Sequence, residues 1–342
     1  MHAPTPHATA APVTEIVACP FCGGSATRPL TGQLADEESA HLDEPFGSLR
    51  FQFVACTACD TAYLRERPAA DQIWRFYQGE YCCYQPLDAR GPIIRALVDV
   101  TTRLQLRTLR RLMPPGSDLM VDYGCGIGTW LRLLRQAGAP WRLLGTEVSE
   151  DLVARARAQG IEAVVADEHT LGRHVAAGSA GIINLHHVIE HVPDPLALFA
   201  ALREALAPGG VVIGQTPDRA SLEARLFGDL WPQWHVPRHL VLFDPPTMRR
   251  FAERAGFEVV RIAGSPSGAT QWSGGTLRAL ARWRGRPFRG IHEPLYPALM
   301  LAFAPLSVAQ SLVGSTSHMD FILRKPAAPP AVAVGGGAAR EP

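Results

Sequence analysis

The stretch that decides the fold is Val121-Asp122-Tyr123-Gly124-Cys125-Gly126-Ile127-Gly128-Thr129. An apolar run leads into it and the apolar segment 130–137 follows, so the pattern predicts a strand, a glycine-rich turn and a helix. Glycine lets a ligand approach the turn closely, and the start of a helix offers free N–H groups. Cys125 is interpreted as a small turn residue. The turn therefore predicts a ligand site at the carboxyl end of a strand.

Short apolar runs alternate with helical patterns from residue 118 onward, which is typical of a parallel sheet with helices on both faces. The class expected is α/β. We expect strands at 119–123, 142–147, 162–165, 181–185, 211–216, 257–263 and 319–324.

Two acidic residues end neighbouring strands of this pattern. Glu147 lies nineteen residues after Gly128, at the end of the second strand, where a carboxylate can accept both hydroxyls of a ribose. Asp167 ends the third strand and is expected to meet an adenine amino group. The pattern therefore predicts a site for an adenosine-containing ligand.

The glycine spacing G-x-G-x-G departs from the G-x-G-x-x-G of nicotinamide enzymes and resembles the first motif of class I S-adenosylmethionine-dependent methyltransferases. The segment 190–195, Glu-His-Val-Pro-Asp-Pro, is similar to the EHV-x-DP stretch of the ubiquinone O-methyltransferase-like branch. The resemblance covers about residues 118–325 and implies a Rossmann-like, seven-stranded sheet with S-adenosyl-L-methionine as cofactor. The cofactor-binding residues that it implies are Asp122, Gly124, Gly126, Gly128, Glu147, Asp167 and His186.

Two histidines are candidate catalytic bases, because imidazole titrates near neutral pH. His187 follows the fourth strand and, by the family analogy, faces the acceptor. His239 lies in the segment 230–240, whose two Trp, two His and one Arg predict an acceptor pocket. The competing interpretations are that His187 only binds or supports, and that Arg238 and His239 fix the loop over the sheet. Glu190-His191 is interpreted as a structural hydrogen bond.

Four of the seven cysteines form two C-x-x-C pairs: Cys19 with Cys22, and Cys56 with Cys59. Two such turns suit one closed tetrahedral zinc site, so we expect a structural zinc ribbon. Acidic runs at 36–38 and 43–44 argue against nucleic-acid binding by this segment. The adjacent Cys82 and Cys83 are interpreted as packing residues.

Composition limits the partners. The 33 lysines and arginines almost balance 32 aspartates and glutamates, so no long-range field draws the chain onto nucleic acid. The expected acceptor is a small or lipid-linked molecule. Because residues 1–14 lack the apolar core of a secretory signal, we expect a cytoplasmic protein, with peripheral membrane contact as an open alternative. The expected divisions are a disordered tail at 1–14, a zinc ribbon at 15–68, a linker and helical cap at 69–117, the methyltransferase domain at 118–326, and a disordered tail at 327–342.

The insertion 264–316 combines five arginines with an uncharged segment, 294–314. Its prolines argue against a simple transmembrane helix. The alternatives are a lid, a dimer surface, or membrane contact through 278–314.

The leading functional hypothesis is a methyltransferase acting at oxygen. The alternatives are a C-methyltransferase acting on a sugar or polyketide-type acceptor, since zinc-ribbon methyltransferases of deoxysugar carbons resemble this layout, and a zinc-ribbon RNA-modifying enzyme or adaptor. A nicotinamide oxidoreductase is disfavoured by the glycine spacing.

Overall fold

The computed structural model describes residues 12–36, 42, 46–77, 92–314 and 316–327. Outside these residues lie all but the first residue of the expected tail at 327–342, most of the tail at 1–14, most of the two acidic runs, and Cys82 and Cys83. The prediction that the disordered N-terminal tail extends to residue 14 is wrong. The backbone N–H of Val13 donates to Oε1 of Gln72 at 2.8 Å, and Thr14 pairs with Pro68 in a strand.

A seven-stranded sheet lies at the centre of the molecule. Its strands are β8 (Leu119–Tyr123), β9 (Arg142–Glu147), β10 (Glu162–Val165), β11 (Ala180–His186), β12 (Leu206–Pro217), β14 (Glu258–Gly264) and β15 (His318–Arg324). Their order across the sheet is β10-β9-β8-β11-β12-β15-β14, and β15 runs antiparallel to both of its neighbours. The mostly parallel sheet expected from the alternating pattern is confirmed.

Helices cover both faces of this sheet, because successive side chains of a buried strand point to opposite sides. The helices are α1 (Pro92–Leu112), α2 (Thr129–Gln136), α3 (Glu150–Ala158), α4 (Pro195–Ala205), α5 (Leu222–Phe227), α6 (Pro245–Arg254), α7 (Ala269–Trp283) and α8 (Tyr296–Val313). Met120, Ile182 and Val211 share a core cluster with residues of α1 and α2. Their neighbours in sequence belong to a second cluster, which includes residues of α4 and α6.

The N-terminal segment forms short strands. They are β1 (Thr14–Ile16), β2 (Thr27–Pro29), β3 (Leu34–Ala35), β4 (Arg50–Phe51), β5 (Phe53–Cys56), β6 (Ala62–Leu64) and β7 (Glu66–Pro68). The order β13-β6-β5-β2 makes a four-stranded sheet, and its edge strand β13 (Val241–Leu242) comes from the segment between α5 and α6.

The expected division at residue 68 implied that the N-terminal segment is a separate attachment. It is not, because β13 pairs with β6. Its buried residues belong to the same core cluster as those of β8 and α6. Side chains of α6 also bind the cysteine turns: Arg250 donates to the Cys59 carbonyl oxygen at 2.7 Å, and Arg254 donates to that of Phe21. The two regions therefore share one core.

The insertion contains two packed helices, α7 and α8. The prolines, which by sequence argue against a simple transmembrane helix, do not prevent α8 from forming a continuous helix. Pro297 lies in the first turn of α8, where the missing N–H has no intrahelical partner in any case, and Pro305 is accommodated inside a continuous helix. By length and composition α8 qualifies as a candidate membrane span, with a mean hydropathy of 1.4.

Candidate active site

The glycine turn has the backbone conformation for which glycine is needed. Gly124, Gly126 and Gly128 have φ values of 75°, 53° and 76°. A Cβ on Gly124 would lie 2.5 Å from Cγ2 of Val188, so this position also leaves no room for a side chain. Gly128 precedes the first turn of α2, whose free N–H groups face this end of the sheet.

Glu147 lies across this turn, at the end of β9. Its Oε2 accepts a hydrogen bond from the Gly126 N–H at 3.0 Å, and its Oε1 accepts one from the Val148 N–H at 2.8 Å. Burial raises the pKa of this carboxyl, while the backbone donors oppose the shift. Val148, which follows, is an exposed apolar residue that sequence reasoning missed. An acid beside an apolar surface can receive a ribose and the adenine attached to it.

The other two acids are placed differently. Asp122 is buried in β8, where its Oδ1 accepts from Nδ2 of Asn184 at 2.7 Å, and burial raises its pKa to about 7. Asp167 lies two residues beyond β10, and its Oδ1 accepts from the Thr170 hydroxyl at 2.6 Å. That bond holds the pKa of Asp167 below its usual value, against the effect of burial. Asp167 is thus ionised at the open edge, whereas Asp122 supports the turn from below.

The predicted histidine pair ends β11. His186 is exposed at this end of the sheet, and its ring centroid lies 4.8 Å from that of His187. His187 adopts a left-handed backbone conformation, with φ of 54°. Its Nδ1 lies 3.0 Å from Oε1 of Glu190, and its Nε2 lies 3.0 Å from Oε1 of Gln215.

Both partners of the His187 ring are hydrogen-bond acceptors. The amide of Gln215 is oriented by its Nε2, which donates to Oδ1 of Asp320 at 2.6 Å and to the Ser265 hydroxyl at 2.8 Å. Its Oε1 therefore faces His187. With an acceptor at each nitrogen, the ring is satisfied when it carries two protons, and this arrangement disfavours His187 as a base.

Glu190 is fully buried at the centre of this network. Its Oε2 accepts from the Thr216 hydroxyl at 2.9 Å. Burial works to raise the pKa of Glu190, but the hydrogen bond and the charge of His187, together with the charge of His191, lower it overall. The carboxylate thus stays ionised below the sheet end and fixes His187.

His239 is placed behind this network. Its Nδ1 donates to the Gln233 carbonyl oxygen at 2.8 Å, and its ring contacts those of His191 and His235 at centroid distances of 4.7 and 4.9 Å. Because His239 is buried, an acceptor would reach it only after the loop moved. Its role as a base stays a prediction that this enclosure disfavours.

The expected acceptor pocket at 230–240 is instead mostly core. Trp231, Trp234 and Arg238 are buried, and Trp234 packs against Phe53 of the N-terminal sheet. Arg238 forms an ion pair with Asp36 at 2.9 Å. The alternative interpretation, in which Arg238 and His239 fix the loop, matches these contacts. The aromatic residues were misread because burial against a distant segment leaves no local signal.

His318 at the start of β15 is a site residue that sequence reasoning missed. Its ring centroid lies 5.0 Å from that of His187, and its Nδ1 lies 3.0 Å from the Ser267 hydroxyl. Nε2 of His318 contacts the side-chain amides of Gln233 and Gln271. Only the antiparallel last strand brings His318 beside His187, so no sequence spacing could have revealed the pair.

Among the residues that the structure describes, two clusters have the residue types that hold metal ions. In one, the Sγ atoms of Cys19, Cys22, Cys56 and Cys59 lie within 4.8 Å of one another, and none of these residues forms a disulfide. In the other, ligand atoms of Glu190, His191 and His239 lie within the same distance. The second cluster is already explained by hydrogen bonds, since Glu190 accepts from His187 and Thr216, and His191 donates from Nδ1 to the Arg238 carbonyl oxygen at 3.0 Å.

Comparisons with known proteins agree with this geometry. A methyltransferase-domain family model matches residues 98–262, just under half of the chain. Ubiquinone biosynthesis O-methyltransferase of Aromatoleum aromaticum is 30% identical over 157 residues, which are 42% of this chain and 66% of that protein. C-methyltransferase NovU of Streptomyces niveus is 28% identical over 221 residues, 60% of this chain and 48% of that protein.

A third relative is named for a different kind of acceptor. Trans-aconitate 2-methyltransferase of Acidovorax sp. is 34% identical over 119 residues, 34% of this chain and 45% of that protein. The chain thus spans about half to two thirds of the length of these three relatives. Residues 98–262 therefore form a methyltransferase domain of the class I, S-adenosylmethionine-dependent type.

Proposed function

We propose that this protein transfers a methyl group from S-adenosyl-L-methionine to an oxygen atom of a small or lipid-linked acceptor. The observation that carries the proposal is the hydrogen bond from the Gly126 N–H to the Glu147 carboxylate, which connects the glycine turn to the acid at the end of β9. Asp122, Gly124, Gly126, Gly128 and His186 line the same end of the sheet, and Asp167 offers an ionised carboxylate at its edge. The named O-methyltransferase relative supports oxygen as the acceptor atom.

Methyl transfer depends mainly on how the acceptor and the cofactor are positioned. Methyl transfer is an in-line displacement, so the chain must hold the acceptor atom close to the methyl carbon and exclude competing water. Glu147 and the turn would hold the cofactor, and His186 would contact its methionine part. His187, whose two ring nitrogens are held by Glu190 and Gln215, would line the acceptor side of the site and position the acceptor by contact with its ring.

The first test of this function measures cofactor binding alone, without an acceptor. Calorimetry should show binding of S-adenosyl-L-methionine and none of NAD. Glu147→Gln should weaken that binding about tenfold or more, because it removes a charge that accepts hydrogen bonds. Glu162→Gln, at an exposed acid paired with Arg142 on the neighbouring strand, is the matched control. Binding of NAD alone, or equal affinity of the Glu147 variant, would contradict the proposal.

A carbon acceptor is the second candidate. The similarity to C-methyltransferase NovU extends over 221 residues and therefore beyond the matched methyltransferase domain. Incubation of the protein with labelled S-adenosyl-L-methionine and extracted metabolites, followed by mass spectrometry, distinguishes the two. A strong acid that cleaves methyl ethers removes the label from an O-methyl product, whereas the label of a C-methyl product stays in place.

We also propose that Cys19, Cys22, Cys56 and Cys59 hold one structural zinc ion. Sγ of Cys19 lies 3.5 Å from that of Cys59, and Sγ of Cys22 lies 3.5 Å from that of Cys56. Four thiolates around one zinc at about 2.3 Å stand roughly 3.8 Å apart, so the observed spacing fits a tetrahedral site. A site closed by four cysteines stabilises the fold and has no open position for catalysis.

A further inference from the structure

We propose that α8, together with the arginines that precede it, docks on the surface of an anionic lipid membrane. The feature that points there is an apolar stripe on the outer side of α8. Leu301, Val308 and Leu312 occur at the spacing of one helix face, and Leu301 and Leu312 are 78% and 84% exposed. An exposed apolar stripe of this length marks an interaction surface.

The opposite side of α8 binds the domain. Phe303 stacks on Trp272 of α7 with ring centroids 5.5 Å apart, and Nε1 of Trp272 donates to Oε1 of Gln310 at 2.6 Å. Ser307 is buried between these two positions. These contacts fix which side of α8 faces outward, so the apolar stripe is a property of the folded molecule.

The charges beside the stripe select the partner. Residues 269–313 contain five arginines and a single acid, Glu293. Glu293 is buried and binds Arg286 through two hydrogen bonds, at 2.6 and 2.8 Å. Arg282, Arg284 and Arg289 are exposed, and so is Trp283, at 79%. An apolar stripe with basic residues and a tryptophan at its border fits the interface of an anionic bilayer.

The contacts of α8 favour lying on the membrane over crossing it. A spanning arrangement would pull α8 away from α7 and leave the Gln310 side chain in hydrocarbon without the hydrogen bond from Trp272. The helix also leads within a few residues into β15 of the central sheet. We therefore expect α8 to lie flat, with its outer stripe among the acyl chains.

Docking in this orientation would place the acceptor side of the site near the lipid. Gln271 of α7 contacts His318, which lies beside His187. That consequence, a lipid-linked acceptor, rests on the proposed function, whereas the docking itself does not.

The experiment is co-sedimentation of the full chain with phosphatidylcholine vesicles and with vesicles that also contain phosphatidylglycerol. We expect binding to the anionic vesicles that weakens between about 50 and 500 mM salt. The double variant Leu301→Asp/Leu312→Asp should bind at least about tenfold more weakly. Arg282→Glu/Arg284→Glu should lose the preference for anionic lipid. Val100→Asp/Leu104→Asp, at two exposed apolar residues of α1, is the matched control and should bind like the parent chain.

Other outcomes overturn the proposal. Binding that survives Leu301→Asp/Leu312→Asp, or no vesicle binding by the parent chain, would exclude docking through α8. A dimer seen by light scattering that dissociates in the same variant would assign the stripe to a second copy of the chain. Circular dichroism checks that the variants fold. Retained binding of S-adenosyl-L-methionine in the aspartate variant keeps failure of docking distinct from failure of the proposed function.

Discussion

Nδ1 of His187 lies 3.0 Å from Oε1 of Glu190, a carboxylate that is completely buried. Glu190→Gln keeps the shape of the side chain but removes its charge and places a donor or a weaker acceptor against His187. Because Glu190 acts through His187, we expect kcat to fall about tenfold or more while the affinity for S-adenosyl-L-methionine changes little. The pH profile of kcat should also shift.

Glu253→Gln, at an exposed acid of α6, is the control for this prediction. A Glu190→Gln variant with unchanged kcat and an unchanged pH profile would show that the bond only supports the fold. Steady-state kinetics at several pH values, combined with calorimetry, provide both measurements.

The buried histidines should make stability depend on pH. Burial lowers the pKa of His191 to about 4, so the unfolded chain binds a proton there below about pH 6.5 and the folded chain does not. Stability rises with pH wherever the unfolded state binds more protons. The free energy of unfolding should thus lose about 1–2 kcal/mol from His191 between pH 7 and pH 5.

Buried carboxyls act in the opposite direction, because burial raises the pKa values of Asp122 and Asp218 to about 7. The test therefore compares His191→Gln with the parent chain in urea at pH 7 and at pH 5. The variant should lose less stability over this interval than the parent chain. Equal losses would contradict the assignment.

Gly124→Ala should destabilise the protein more than Gly138→Ala. Both glycines have positive φ, 75° and 82°, so alanine costs backbone strain of about 1 kcal/mol at each. Only Gly124 has a neighbour within contact distance, Val188. Urea unfolding should show the larger loss at Gly124, accompanied by weaker cofactor binding, and equal effects at both positions would argue against a role for the close approach.

The cysteine cluster should hold one zinc per chain. Cys59→Ser should remove the metal and lower the Tm by about 5 °C or more, because the metal stabilises only the folded chain. Cys125→Ser, at a buried cysteine outside the cluster, should keep the metal. Elemental analysis of the purified variants measures both, and a metal-free parent chain would end the zinc proposal.

The pair Arg238 and Asp36 should behave as a buried ion pair. Arg238 is 1% exposed, so Arg238→Ala leaves the Asp36 carboxylate without this partner and should cost about 3–5 kcal/mol. The double variant Arg238→Met/Asp36→Leu should recover much of that loss, because apolar residues of similar size can replace a buried pair. If the double variant is no more stable than Arg238→Ala, the coupling is absent.

The sequence by itself determined the periodic parts of this protein. The five parallel strands from β8 to β12, the glycine turn and Glu147 at a strand end follow from local patterns, since alternation, backbone freedom and strand length are properties of neighbouring residues. The four cysteines were found in the same way, because each C-x-x-C turn is local.

Only the tertiary structure decided the rest. It placed His318 beside His187 through an antiparallel last strand, buried Trp231 and Trp234 where an open pocket was expected, and joined β13 to the N-terminal sheet. It also determined which face of α8 is exposed. These relationships pair residues that are far apart in the chain, and their energy comes from packing and from hydrogen bonds that no local pattern encodes.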